Sequence, residues 1–98
     1  MRKVYITNRG PHDYSAAESF GELVYCTDGA LDKMDLSQMY RECQTAMADS
    51  QQDDYILLTS LTSLCSVACA YFAAKHGELH VLIHRGDSYV ERALYFND

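Results

Sequence analysis

Tyr55-Ile56-Leu57-Leu58 is an unbroken apolar run, preceded by Asp53 and Asp54 and followed by Thr59 and Ser60. A strand with one face in water alternates polar and apolar residues, so a continuous run needs cover on both faces, the setting of a central strand in a parallel sheet. Parallel neighbours must be joined by crossovers of a dozen or more residues, usually helical. This one segment therefore commits the rest of the chain to supplying further strands and the helices that cover them.

The flanking sequence does so. Val4-Tyr5-Ile6-Thr7 is β-branched and aromatic and ends in the turn signal Asn8-Arg9-Gly10-Pro11. Ser15-Ala16-Ala17-Glu18 has the form of a capping box, and Gly21 is placed to end a helix of about two turns. Leu23-Val24-Tyr25-Cys26-Thr27 is a second strand, closed by Asp28-Gly29. Over residues 35–49, Leu36, Met39, Tyr40, Cys43 and Met47 recur at helical spacing, with Asp35 as N-cap. Residues 63–76 form a second helix, with Lys75 and His76 in its last turn and Gly77 beyond it. Residues 79–83 and 89–96 read as strands joined by the short loop 84–88, an antiparallel hairpin whose last strand carries Glu91 and Arg92 as an exposed edge would.

The order β-α-β-α-β-α-β-β with right-handed crossovers makes the first four strands parallel. The expected fold is a small doubly wound α/β domain over 1–98, a mostly parallel sheet of about five strands with an antiparallel C-terminal hairpin; a split α+β sheet is the alternative. The second helix is nearly free of charge and rich in Ala and Cys. It needs cover from more than one side, which predicts either a homodimer through 63–76 or cover by its own chain.

Charge narrows the function. With 14 acidic against 8 scattered basic residues the net charge is -6, which disfavours a nucleic-acid partner. No apolar stretch has the length of a membrane span or the pattern of a signal peptide, so a soluble cytoplasmic protein with no membrane partner is expected. The four cysteines, Cys26, Cys43, Cys65 and Cys69, lie in apolar periodic segments and read as reduced core residues; Cys65 and Cys69 alone make a poor zinc site. His80 and His84, four apart on a strand, stand roughly 13 Å apart and cannot share an ion. No metal and no cofactor is expected. Arg85-Gly86-Asp87-Ser88 matches a cell-adhesion tetrapeptide but reads as turn chemistry.

In an open parallel sheet, loops after the carboxyl ends of the strands gather at one edge, and ligands bind where strand order reverses. That edge would collect Asn8, Arg9, Gly10, His12 and Asp13 after the first strand, Thr27 and Asp28 after the second, and Thr59, Ser60, Thr62 and Ser63 after the third. Arg9, these hydroxyls and a helix start would form a cradle for a nucleotide or another phosphorylated small molecule. The bland reading is that the hydroxyls cap a helix and Asn8-Arg9-Gly10-Pro11 is a turn. His12, Asp13 and Asp28 would also be an acid–base set, although Asp13 is equally suited to cap the short helix. No Arg stands at the end of the Cys26 to Asp32 segment to hold a phosphate, and Ser60 and Ser63 lack the context of a nucleophile elbow, so no catalytic residue is assigned.

Asn8-Arg9-Gly10-Pro11-His12-Asp13-Tyr14-Ser15, Phe20-Gly21-Glu22-Leu23-Val24, Asp53-Asp54-Tyr55-Ile56-Leu57-Leu58-Thr59-Ser60-Leu61 and Phe72-Ala73-Ala74-Lys75-His76-Gly77-Glu78-Leu79 resemble small proteins carried by tailed bacteriophages and prophages. The resemblance brings no functional residue with it. It implies a setting, the host-cell cytoplasm, in which small accessory proteins bind a host protein or a nucleotide signal of host defence. Two functions follow as expectations: a non-catalytic module binding a phosphorylated ligand at the strand-end edge, or a module docking to a host or virion protein through its acidic surface and apolar helix.

Overall fold

The apolar run does become the middle of a parallel sheet. The computed structural model describes residues 2–59 and 61–96, and places β3 (Tyr55–Leu57) between β1 (Lys3–Arg9) and β4 (Glu78–Arg85), with β2 (Glu22–Asp28) and β5 (Ser88–Tyr95) at the two edges. The order is β2-β1-β3-β4-β5; β1 pairs in parallel with β2 and β3, β3 in parallel with β4, and β5 runs antiparallel to β4. Every residue of β3 is buried. The chain leaves β1 on one side to build β2 and returns across it to build β3, so strand order reverses between β1 and β3. This is one of the two common doubly wound orders.

Each face of the sheet carries its own core. On one face Tyr5 and Ile56 meet Met39 and Cys43 of α1 (Leu36–Ala46) and Leu64, Ala68 and Phe72 of α2 (Thr62–His76). On the other, Val4, Ile6, Tyr55, Leu57 and Leu82 are covered by Tyr14 and Ala17, around a 3-10 helix at Ser15–Ser19. Asp35 caps α1, accepting from the Gln38 amide at 3.0 Å. Gly77 ends α2 in the left-handed conformation (φ 73°), donating to the Ala73 carbonyl at 2.8 Å. Lys75 of α2 reaches the end of α1 and donates to the carbonyls of Met47 and Ala48 at 2.9 and 2.8 Å, where positive charge suits the helix dipole.

Four local expectations are corrected. The Ser15–Glu18 capping box does not form: Asp13 Oδ1 accepts the Ser15 amide instead, and the element is a five-residue 3-10 helix. Gly21 is not a left-handed helix terminator; it lies beside the Arg2 carbonyl, where a β-carbon would stand 2.4 Å from the oxygen. The apolar stripe of α1 is wider than its own chain covers, since Met39, Cys43 and Met47 are fully buried while Leu36 and Tyr40 stay 53% and 45% exposed. The hairpin is longer and its turn tighter than the loop 84–88 suggests. Only Gly86 and Asp87 lie outside the strands; Gly86 has φ 64° and Asp87 does not, which is the type II′ pattern. Among the described residues no helix is long and apolar enough to cross a membrane.

Candidate functional site

Because β1, β2 and β3 run the same way, their carboxyl ends share one edge. The groups expected there divide into three sets. The first is internal. Thr7 Oγ1 and Thr59 Oγ1 are 2.9 Å apart, the Thr59 amide donates to Cys65 Sγ at 3.2 Å, and Thr27 Oγ1 donates to the Thr7 carbonyl at 2.8 Å. Thr27 Oγ1 also lies 2.8 Å from the Asn8 side-chain amide. The atom facing it is Asn8 Oδ1, so the one Thr27 proton has two acceptors, that oxygen and the Thr7 carbonyl. These bonds tie the ends of β1, β2 and β3 to the first turn of α2, and they hold Thr7 and Thr27 inside.

The second set faces away toward β2. The Arg9 guanidinium lies 3.9 Å from the centre of the Tyr25 ring and 3.6 Å from the Asp28 carboxylate, with both charged side chains largely in water. Gly10 is exposed, with open space where a side chain would stand. Thr62 is the exposed first residue of α2 and Ser63 follows it, half-buried. Ser60 lies outside the described residues. The cradle imagined around Arg9 and the α2 hydroxyls is therefore not assembled by the described side chains, because Arg9 is drawn to the acid and the ring on its own side of the sheet.

The third set makes a cleft of about 400 Å³ on the 3-10-helix face, lined by His12, Asp13, Tyr14, Leu58, Thr59, His84 and Tyr89. His12, Asp13 and Thr59 are sequence-level candidates; Tyr14, Leu58, His84 and Tyr89 are additions. The signal for the last two was available, because the β4–β5 hairpin turns at the carboxyl end of β4 and sets His84 opposite Tyr89. Their rings are 5.4 Å apart, and those of His12 and Tyr14 are 6.2 Å apart.

Hydrogen bonds from Ser15 hold the Asp13 carboxyl below its usual pKa. Burial raises the Tyr14 phenol, with Tyr89 and Tyr25 adding to the effect; burial and then the Asp13 charge raise Tyr89. At neutral pH the cleft thus presents one carboxylate and two protonated phenols, which can donate as well as accept.

A second concavity, of about 740 Å³, lies between the helices on the opposite face. Leu36 and Tyr40 of α1 and Val67, Ala70, Tyr71 and Ala74 of α2 line it, and Tyr40 meets Tyr71 edge to face at 5.9 Å. The inner side of α2 is buried against its own chain through Leu64, Cys65, Ala68 and Phe72, while Ser66, Ala70 and Ala74 are exposed.

No curated protein and no solved structure matches the chain. A family model does, over residues 2–95, which takes in all five strands and both helices: the chain belongs to the phage Pam3 gp32-like protein family.

Proposed function

We propose that this phage protein is a non-catalytic binding module, acting in the host-cell cytoplasm, that takes a small molecule of the nucleotide class in the cleft beside the β1/β3 reversal. The observation that carries this reading is the coincidence of two independent features. Doubly wound sheets commonly bind ligands where strand order reverses, and the side chains that meet at this reversal form a cleft of about 400 Å³, within the range of small-molecule sites. Aromatic rings with a few convergent polar groups are the usual lining of such sites. His12 and Asp13 supply hydrogen bonds in this reading and no turnover is assigned to them.

The test is thermal melting of the full chain across mono-, di- and cyclic nucleotides at millimolar concentration. A ligand at about a hundred times its Kd stabilises the native state by about 2.7 kcal/mol, a rise of many degrees for a domain of this size. Tyr89→Ala should remove the response, measured against the variant's own unliganded melting point, which falls because the Tyr89 ring packs on the core beneath the 3-10 helix. A flat panel would refute the proposal.

A second reading rests on Leu36 and Tyr40, which remain exposed beside Val67 and Tyr71. Large apolar side chains left in water next to a groove are a common mark of protein docking. In this reading the helical face binds a host or virion protein, or a second copy through residues 63–76. Tyr40→Glu would abolish that function and leave nucleotide-dependent melting unchanged.

A further inference from the structure

The charges around the strand-end cleft bear on which part of a ligand it grips. No lysine or arginine is among the described residues that line it, and the nearby Arg9 is engaged by Asp28 and Tyr25. The cleft carries the carboxylate of Asp13, one oxygen of which is oriented by the Ser15 amide at 2.9 Å. A phosphate placed here would meet the Asp13 carboxylate and, among the described lining residues, neither a lysine nor an arginine. Two ring pairs, His12 with Tyr14 and His84 with Tyr89, are part of its lining. Tyr14 and Tyr89 line the same cleft.

We infer that the cleft recognises a nucleobase carrying an exocyclic amine, its ring against the aromatic walls and its N–H groups donating to the second oxygen of Asp13. The inference rests on the binding role proposed above and reverses its emphasis, placing the affinity in the base and leaving the phosphate outside. The chemistry is that of single-stranded base recognition, in which aromatic side chains stack on the base face and an acceptor reads the Watson–Crick edge. An aspartate pairs with an amino group, as it does with cytosine N4. The cleft volume of about 400 Å³ suits a nucleoside better than a small ammonium ion.

The experiment is calorimetric and NMR titration of the full chain with guanosine, adenosine, cytidine, uridine, ribose 5-phosphate, inorganic phosphate and tetramethylammonium. The expected result is saturable binding of at least one amine-bearing nucleoside, weaker binding of uridine, and no more than a small gain on adding a 5′-phosphate. Asp13→Asn keeps an oxygen for the Ser15 amide but removes the charge, and should weaken the nucleoside about tenfold or more with an unchanged melting point. Tyr89→Ala should weaken it as well. Binding of ribose 5-phosphate or phosphate with nucleosides inert would overturn the base assignment and leave the binding module standing. Preferential binding of tetramethylammonium would overturn it in favour of an aromatic cage for cations. If no probe binds at millimolar concentration, the inference and the proposed function fall together.

Discussion

Tyr5 sits in the middle of β1 with no exposed surface, and its hydroxyl has no hydrogen-bond partner among the described residues. A buried hydroxyl without a partner gives up its bonds to water and receives nothing in return, a cost of about 1–3 kcal/mol. Tyr5→Phe removes that cost and keeps the ring packed against Met39, Cys43 and Ile56. The opposing term is a void the size of one oxygen atom, which at about 24 cal/mol per Å³ amounts to a few tenths of a kcal/mol. Desolvation wins, and the variant should be more stable by about 1 kcal/mol, which for a chain of 98 residues raises Tm by about 4–8 °C. Urea titration followed by circular dichroism should show a higher midpoint at constant slope.

A second readout comes from pH. Burial, with the Asp54 charge adding to it, pushes the Tyr5 phenol well above its ordinary value of 10.0. A group whose pKa is raised by folding contributes stability below its unfolded pKa and loses it as pH climbs through that value toward the folded one. Wild type should therefore lose more stability above about pH 10 than Tyr5→Phe does. A variant less stable than wild type at neutral pH would show that the hydroxyl has a partner, and the reasoning would fail.

Three other perturbations test how the scaffold is held. Gly21→Ala drives a β-carbon into the Arg2 carbonyl and should cost about 1–3 kcal/mol; a melting point equal to wild type would mean that the β1 entry yields freely. Lys75→Met keeps the stem of the side chain but removes the ammonium from the Met47 and Ala48 carbonyls, with an expected loss of about 1 kcal/mol in urea titration, at the low end for charged hydrogen bonds because the site is partly in water. Burial, and next the Lys75 charge, lower the His76 pKa from 6.5, against weaker pulls from Asp54 and Glu78. The unfolded chain then takes up the proton more readily, so stability from His76 is complete above about pH 6.5 and declines below it. His76→Asn should flatten the stability profile between pH 6.5 and the lower folded value, and an identical slope in both proteins would count against the assignment.

What was legible in the chain, and what was not, follows from how far each signal reaches. The unbroken run at Tyr55–Leu57 implied its own burial, Asp35 and Gly77 marked helix ends through local hydrogen bonding, and the order of strand and helix signals led to parallel pairing through the handedness of crossovers. Each of these depends on neighbours a few residues away. Gly21 answers to Arg2, nineteen positions earlier and just ahead of β1, so its local context suggested the wrong reason for it. Arg9 was placed at the correct edge, yet which way it points is decided by Asp28 and Tyr25 on the adjacent strand. Leu36 and Tyr40 fit the α1 stripe by spacing alone, and periodicity cannot say how wide a stripe the rest of the molecule covers.

The cleft itself has a cause in the length of one connection. Residues 10–21 are about a dozen, close to the minimum for a parallel crossover, and they hold a five-residue 3-10 helix where a longer unit would place a full α-helix. That short element covers the sheet above Val4, Ile6 and Tyr55 through Tyr14, Ala17 and Phe20. It leaves the region in front of His84 and Tyr89 open at the carboxyl ends of the strands, with His12 and Asp13 on its near wall. On the helical face the sheet lies beneath α1 and α2, and the concavity there is lined by residues of the two helices. An opening at the point of strand reversal is thus produced by economy in the β1–β2 link, and lengthening that link to an α-helix would close it by covering Tyr89 without disturbing the core beneath α1 and α2.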